Sequence, residues 1–580
     1  MSKLTPEALT HQRHSLAHLL AAAVLEIWPD AKRAIGPAID DGFYYDFAFS
    51  APISETDFPT IEAKMKEILP TWPGFIREEV SADQARSAFP NNPYKQELIN
   101  DFSKDGQTLT LYRSGSYVDL CRGGHSDSFA KIDPNSFKLT KLAGAYWRGD
   151  EKRDQLTRIY AVAFETAAEL QQHLAMLEEA KKRDHRKLGK ELGLFTFSEL
   201  VGPGLPLWTP RGTIMRELLN DYVWSLRKKH GYQKVTIPHI TKKDLYETSG
   251  HWAKYAADLF KIETREGHTF AMKPMNCPHH AQIFDSQPHS YRDMPVRYCE
   301  TTMVYRDEQH GELSGLQRVL SITQDDAHVF CRLNQMRTEA EKVWNIIETF
   351  YQTFGFKLTT RLSRRDPDDA EKYLGKIEDW DMAELELKNI LEDHKMEWID
   401  GLGEAAFYGP KIDFMTNDSL GRTWQVATIQ LDFVQPTNFE LTCVNEIGEK
   451  EPIVMIHCAI MGSIERFMSI MIEHYAGAFP FWLAPEQIRV ATVSEDYLVG
   501  AKALVEQLCT AGLRAHLDST AEKVGKKVRE AATMKVPWTI VYGAKEAAGE
   551  PIQIKVFGEE AALIVSAQDL VANALEAGKK

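Results

Sequence analysis

Cys277, His328 and His457 are the residues of this 580-residue chain best suited to hold a metal. Each sits in an unusual local sequence: Met-Lys-Pro-Met-Asn-Cys-Pro (272–278), Thr-Gln-Asp-Asp-Ala-His (323–328) and Val-Met-Ile-His (454–457). One thiol and two imidazoles suit zinc with a fourth position left open. An open zinc accepts a substrate that carries both an amine and a hydroxyl. Spacing alone does not decide the matter, because the three lie far apart in the chain. The plain alternative is a buried small hydrophobe for Cys277 and a satisfied core histidine for His328. Arginines stand near these segments. Arg306 lies in Tyr305-Arg-Asp-Glu308, and Gly315-Leu-Gln-Arg-Val holds Arg318. Gly462-Ser-Ile-Glu-Arg466 begins five residues past His457. Guanidinium forks clamp phosphates bidentately, and a glycine lets backbone approach closely. Ordinary ion pairing is the competing role for each arginine.

A second constellation lies near the N-terminus. His14 and His18 are four residues apart and share a helix face. Asp119 precedes Cys121-Arg-Gly-Gly-His125. Two imidazoles with this Cys/His pair either bind a metal or form a metal-free hydrolytic pocket. Exposed helix histidines are the plain alternative for His14 and His18.

The elements that position these residues read as a multidomain protein, three or four domains at about 100–200 residues each. The chain is 43% hydrophobic and 26% charged, ordinary for a globular protein with proper cores. Seven cysteines are scattered without close pairs, which favours reduced cytosolic thiols over a disulfide scaffold. No stretch approaches about 20 apolar residues, and the N-terminal segment lacks a cleavage-site pattern, so neither a membrane span nor a signal peptide is expected. A net charge of −15 argues against a generic nucleic-acid coat protein. It leaves room for local basic surfaces at Lys181–Lys187 and at Lys523, Lys526, Lys527 and Arg529.

Along the chain, residues 8–28 read as an amphipathic helix with Leu16, Leu19, Leu20, Val24 and Ile27 on one side. Gly42–Phe47 and Thr108–Tyr112 read as strands. Residues 166–190 read as one charged helix, polar nearly all round, which suits a bridge between domains. Gly202-Pro203-Gly204 marks a boundary. A helix over 212–229, a strand over Lys234–Ile237 ending at Pro238, strands around Tyr298, Phe414 and Gln430, and a helix over 460–475 follow. The C-terminal pattern is strand (488–493), helix (496–511), strand (513–517), helix (522–533), strands (538–542 and 552–556) and helix (567–577). That alternation predicts a small α/β domain with a largely parallel sheet.

These segments resemble the signature motifs of the class II aminoacyl-tRNA synthetases and, within them, the threonyl-tRNA synthetases, over essentially the whole chain. Residues 212–238 are similar to motif 1, 296–320 to motif 2 and 457–466 to motif 3. The resemblance implies an α+β multidomain fold. Its parts are an N-terminal α+β editing domain (1–165), a charged linker helix (166–192), a catalytic domain on an antiparallel sheet (193–483) and an α/β anticodon-binding domain (484–580). It implies a ligase that joins L-threonine to tRNA(Thr) with ATP, in the cytoplasm, as a homodimer.

By the same resemblance, Cys277, His328 and His457 hold one Zn²⁺, and Mg²⁺ accompanies ATP. Arg306 meets the α-phosphate, and Arg318 and Arg466 meet the outer phosphates or the adenine face. Gln425, Thr428 and Ser463 line the nucleotide. Met275, Gln324, Asp326, Tyr408 and Gln430 surround the threonine, with Asp326 facing its hydroxyl. An apolar pocket rejects valine poorly, because valine has threonine's shape. A zinc that requires amine plus hydroxyl supplies that discrimination. Serine passes this filter, so a second pocket must remove it. The editing resemblance assigns His14, His18, Lys95, Asp119, Cys121 and His125 to that pocket, metal-free and hydrolysing seryl-tRNA. Lys535, Glu546 and Lys555 occupy places that contact anticodon bases in the family, although a structural cap or a dimerisation unit would fit the same α/β pattern.

The chain departs from the family in several places. The extra small N-terminal domain of many bacterial relatives is missing from this sequence, which is either naturally short or truncated. His279 stands where glycine is usual, Leu320 and Cys458 where arginine is common, and Ala521 where asparagine is frequent. The family more often carries arginine at 535 and 555. Losing two positive charges near the nucleotide is expected to weaken ATP or tRNA binding or to alter inhibitor sensitivity. The rivals are a catalytically silent tRNA-binding paralogue and a free-standing deacylase. Intact Arg306, Arg466 and zinc ligands weigh against both.

Overall fold

Thr5 starts the first helix, Pro6–Ile27: its hydroxyl accepts from the Ala8 amide, and Pro6 follows at the first turn. The computed structural model describes residues 4–418 and 421–580. The chain divides into two compact units, Met1–Glu178 and Glu179–Lys580.

In the first unit the expected one-sided apolar stripe gives way to burial all round from Ser15 to Val24. Ala17, Ala21, Ala22 and Ala23 are small enough for neighbours to close on every side. The helix packs on the strand Gly42–Ala48 and the helix Phe58–Ile68. Gly42–Ala48 belongs to an antiparallel five-stranded sheet with Gln155–Ala163 and Phe137–Tyr146. A three-stranded antiparallel sheet, Ile76–Val80, Leu109–Ser114 and Tyr117–Leu120, delivers Asp119 near its end.

The charged segment expected as one helix is two. Ala167–Arg183 stops at Asp184, whose carboxylate caps the next helix, His185–Glu191, by accepting from the Arg186 amide. The second piece is not a solvated bridge. His185 is buried, its Nδ1 2.8 Å from Glu473 Oε1 and its Nε2 accepting from the Leu316 amide at 3.1 Å.

The second unit is built on an eight-stranded sheet. Its order is Gln233–Lys234, Val296–Tyr305, Ser321–Cys331, Val454–Ala459, Thr423–Asp432, Lys411–Asn417, Thr359–Arg364 and Trp398–Leu402. The pairings are antiparallel except the outermost on each side, which are parallel. This is the antiparallel catalytic sheet expected. Helices Pro210–Lys229, Met336–Phe354 and Ile464–His474 bury one face, around Val329, Cys458, Trp344, Phe350 and Phe467. The other face carries His328 and His457.

Two element boundaries moved. The strand expected over Lys234–Ile237 is only Gln233–Lys234: one more bond follows, Val235 N to Cys299 O, and Pro238 has no amide to continue the ladder. The helix expected over 460–475 starts at Ile464, after the strand Val454–Ala459 and a turn at Gly462. Gly462 has φ +68°, and a side chain there would meet the Val426 carbonyl oxygen at 2.9 Å. Ser463 caps the helix by accepting from the Arg466 amide at 3.3 Å.

The C-terminal sheet runs Ala515–Asp518, Ile488–Thr492, Trp538–Tyr542, Ile552–Val556 and Leu563–Val565. Only the first three strands are parallel; the last two are antiparallel, so the sheet is mixed rather than largely parallel. The short return after Trp538–Tyr542 carries one turn of helix, Ala544–Ala547, too little for a parallel crossover. Among the described residues, no helix is long and apolar enough to cross a membrane. All seven cysteines are free.

Candidate active site and metal centre

Side chains directly opposite on an antiparallel pair share a face. His328 lies opposite His457, and His457 opposite Gln430 on the next strand. Cys277 opens the helix Cys277–Asp285, with Pro278 in its first turn. The three candidate ligands are buried, and their donor atoms lie within 4.8 Å of one another. Ligand bonds are about 2.0–2.3 Å, so a small side-chain adjustment lets one ion reach all three.

The groups behind the ligands were missed in the sequence. Asp432 Oδ2 lies 2.7 Å from His457 Nε2, and the carboxylate is itself fixed by the Val434 and Gln435 amides and by Gln435 Nε2. His280 Nδ1 lies 2.8 Å from His328 Nδ1. With the proton of each contact on His457 Nε2 and on His328 Nδ1, His457 Nδ1 and His328 Nε2 are the lone-pair donors. His251 Nε2 is 3.6 Å from Cys277 Sγ and 3.2 Å from Met275 Sδ. The only available signal was the unbroken histidine pair after Cys277-Pro278; nothing in the sequence marked Asp432 or His251.

Burial sets the protonation of this cluster. It holds His328 well below the usual imidazole range, helped by the charges of His457 and His280. It brings His251 and His280 each down to about 3. Burial also pushes the Cys277 thiol well above its ordinary value, and the Asp326 carboxylate adds to that. A neutral His328 imidazole beside a thiol that needs a cation to ionise belongs to a donor set that fits a metal.

Several expected substrate residues form one chain of hydrogen bonds on this face. Tyr408 OH donates to Gln430 Oε1 (2.6 Å), Gln430 Nε2 to Thr428 Oγ1 (3.2 Å), and Thr428 Oγ1 to Asp413 Oδ1 (3.1 Å). Gln425 Nε2 donates to the same Asp413 oxygen at 2.7 Å. The Tyr408 ring stacks on His457, 4.7 Å between centroids. Asp326 accepts from Asn276 Nδ2 at 2.9 Å, and burial raises its carboxyl to about 6. Gln324 pairs with Ser463 across the turn.

Arg466 donates to the Gln317 carbonyl and lies over the Trp424 ring. Burial lowers its pKa, and the charges of Arg306 and Arg318 lower it further, so the three cations share a neighbourhood. The buried Nε of Arg306 has no protein hydrogen-bond partner, as an anion-binding group would leave it. Arg318 turns outward to Glu308 and Glu312.

The departures land differently from expectation. Cys458 faces the opposite side of the sheet from His457, in the core beside Tyr232, because neighbours on a strand alternate faces. It does not share the face that carries Gln430 and His457. Leu320 packs against Gly204. His279 is buried, and neither ring nitrogen has a partner.

In the first unit, Cys121 Sγ lies 3.5 Å from His14 Nε2 and 3.4 Å from His125 Nε2. The four donor atoms of His14, His18, Cys121 and His125 also lie within 4.8 Å of one another. Asp119 is fully buried and receives Lys95 Nζ at 2.6 Å, His18 Nδ1 at 3.2 Å, and the Tyr45 and Tyr117 hydroxyls. Burial opposes ionisation of Cys121, yet hydrogen bonds from His125, His14 and His18 bring its pKa down to about 3. Arg33, Tyr45 and Tyr117 are members of this network that sequence reading did not find.

The anticodon candidates are dispersed in role. Lys535 donates to the Ala476 carbonyl, Glu546 caps the Gly543 amide at 2.9 Å, and Lys555 is exposed on its strand. Lys527 leaves the basic cluster expected on this surface: it is buried and donates to the Thr492 and Asp518 carbonyls.

Residues 260–475 match the tRNA synthetase class II core domain (G, H, P, S and T). Residues 487–576 match an anticodon binding domain, and 109–160 the threonyl and alanyl tRNA synthetase second additional domain. A threonine--tRNA ligase of Gloeobacter violaceus is 46% identical over 559 residues, 95% of this chain and 89% of that one. One from Cytophaga hutchinsonii is 46% identical over 94% of this chain and 85% of its own. A crystal structure described as the RNA binding domain of threonyl-tRNA synthetase from Cryptosporidium parvum superposes with a TM-score of 0.65 at 34% identity, covering 68% of this chain and 98% of that one.

Proposed function

The chain belongs to the threonine–tRNA ligases, and from that premise we propose a division of labour between its two cysteine–histidine sites. The ligase activates L-threonine with Mg²⁺-ATP, transfers it to tRNA(Thr), and edits seryl-tRNA(Thr) with its N-terminal domain. The threonine carboxylate attacks the α-phosphorus in line and diphosphate leaves. A ribose hydroxyl of the tRNA then attacks the adenylate carbonyl and AMP leaves. Arg306, with its unpartnered buried Nε, stabilises charge on the transferring phosphoryl group, and Arg466 supports it. Gln425, Thr428 and Ser463 line the nucleotide, and Arg318 swings from Glu308 to the outer phosphates. Asp326, Gln324, Met275, Tyr408 and Gln430 shape the amino-acid pocket.

Cys277, His328 and His457 would hold zinc, with Asp432 and His280 fixing the two imidazoles. Bound there, zinc would supply a Lewis-acid site for an amine and a hydroxyl together, and valine has no hydroxyl to offer it. The contrast between the two cysteines carries this reading. Burial keeps Cys277 protonated until a cation arrives, whereas its histidine neighbours already make Cys121 a thiolate. We read the editing pocket as metal-free because the histidine hydrogen bonds already stabilise the Cys121 thiolate without a cation. His18, Cys121 and His125 activate water there, and Lys95 and Asp119 hold the frame.

The domains run 1–165 (editing), 166–192 (linker), 193–483 (catalytic) and 484–580 (anticodon-binding), bounds within which the three family matches fall. The enzyme works as a cytoplasmic homodimer, with Pro210–Lys229 at the interface. Lys535 contacts the anticodon only if it leaves the Ala476 carbonyl; Glu546 and Lys555 are the better candidates.

Metal analysis of the full chain, paired with ATP–diphosphate exchange, tests the proposal. One zinc per chain is expected, with exchange on threonine and serine but not on valine. Cys277→Ser should lose zinc and threonine exchange together. Full exchange by a zinc-free variant overturns the zinc assignment, and two tightly held metals per chain overturn the metal-free editing pocket.

A further inference from the structure

Behind the sheet, directly beneath the metal face, lies a buried charge that the reaction does not use. Arg227, near the end of the helix Pro210–Lys229, is 2% exposed. Its Nη1 is 2.5 Å from Asp325 Oδ1 in an ion pair, and Asp325 is fully buried. The same guanidinium reaches two backbone carbonyls: Nη1 lies 3.5 Å from the Asp326 oxygen and Nη2 3.4 Å from the Cys458 oxygen. Those carbonyls belong to the two strands that carry His328 and His457.

Asp325 extends the contact to the turn that follows. Its Oδ2 accepts the Ile460 and Met461 amides at 2.9 and 3.0 Å, and its own amide donates to the Gly462 carbonyl at 2.9 Å. One ion pair thus joins a helix, two strands and the turn before Ser463. Asp326 and His457 are each the immediate chain neighbour of a residue in this contact, and they project from the opposite face. Displacing the contact displaces them.

We propose that Arg227 is a positioning residue for threonine recognition, a cation lent by the helix to hold Asp326 and His457 in register. It fills the place that an arginine at 458 would take from the strand. Cys458 lies opposite Ala327 and on the same face as Asp325, so a long side chain there would reach the same carboxylate. A guanidinium supplied from position 458 and the one supplied by Arg227 would then be alternative solutions to one requirement: a single guanidinium on Asp325. This rests on the reading of Cys277, His328 and His457 as metal ligands.

The test is a double-mutant cycle on the full chain. It reads threonine KM and kcat in ATP–diphosphate exchange, bound zinc, thermal unfolding, and hydrolysis of seryl-tRNA by the other unit as an internal control. Arg227→Met should raise threonine KM at least tenfold and weaken zinc retention, with seryl-tRNA hydrolysis within twofold of the parent. Cys458→Arg alone should also impair exchange, because two guanidiniums then crowd one carboxylate. The pair Arg227→Met/Cys458→Arg should return KM to within about threefold of the parent. If Arg227→Met does not fold, recovery of a folded, active double variant supports the same conclusion. Unchanged KM in the single variant, or a double variant no better than Arg227→Met, overturns the proposal. The parent's zinc content separates the two readings: a zinc-free parent sinks the ligand assignment, while a zinc-bearing parent with an indifferent Arg227→Met sinks the brace.

Discussion

His328 and His457 are register partners on neighbouring antiparallel strands, their rings edge to face with centroids 4.7 Å apart. The sheet itself therefore delivers both imidazoles to one face, and only Cys277 arrives from a helix end. What remains to be fixed is which nitrogen of each ring faces a metal. That task falls to His280 and Asp432.

Asp432→Asn keeps the shape of the Asp432 side chain but weakens its hold on His457 Nε2–H. Losing such a partner typically costs 10–100-fold in metal affinity. A chelator competition titration should show zinc affinity falling by about that range, while the other ligands remain in place. An unchanged affinity would mean that Asp432 does not set the His457 tautomer.

Cys121 should alkylate at low pH. Its pKa of about 3 lies far below the roughly 8.5 of a free thiol. Iodoacetamide should label it at similar rates between pH 5 and pH 8, while glutathione under the same conditions speeds up about tenfold per unit. The folded state's advantage from this group is full above the free thiol's pKa and fades as pH falls toward 3. A labelling rate at Cys121 that climbs with pH as glutathione's does would refute the thiolate.

Asp413 anchors Gln425 and Thr428, the two side chains proposed to line the nucleotide. It is fully buried and receives Lys411, Arg361, Ser363, Gln425 and Thr428. Asp413→Ala leaves Lys411 and Arg361 without their shared partner, and breaking such a buried contact costs about 3–5 kcal/mol. Urea unfolding should show the loss. Gln425 and Thr428 lose their orientation too, so ATP KM should rise more than threonine KM.

Gly462→Ala combines a left-handed backbone with a side chain 2.9 Å from the Val426 carbonyl oxygen. The expected destabilisation exceeds about 1 kcal/mol, and the Ser463 cap should move with it. A variant as stable as the parent in urea, with unchanged ATP KM, would show that the turn relaxes freely.

Much of the architecture was legible because it follows from local signals. The helix Pro210–Lys229 shows its apolar spacing, and the antiparallel catalytic sheet follows from the motif resemblance. Errors gathered where a tertiary partner overrides the local pattern. The charged segment 166–190 breaks because the Asp184 carboxylate is a better cap than a helix interior residue, and because His185 has a buried partner in Glu473. The Pro6–Ile27 helix lost its polar side because alanines admit neighbours on every face. The C-terminal sheet turned mixed because the chain after Trp538–Tyr542 is too short to cross over.

The sequence by itself determined which donors exist: a thiol and two imidazoles within distinctive motifs, arginines near them, and a Cys-Arg-Gly-Gly-His partnered with two histidines one helical turn apart. These are matters of residue type and short spacing, and the chain displays them directly. Only the tertiary structure decided what each donor is. It put Cys277 in a dry site, where ionisation waits for a cation, and Cys121 among imidazoles that ionise it. It turned Cys458 to the sheet face opposite His457 and set Arg227 beneath it. Charge state and facing depend on desolvation and on neighbours hundreds of residues away, and neither is written in any local stretch of chain.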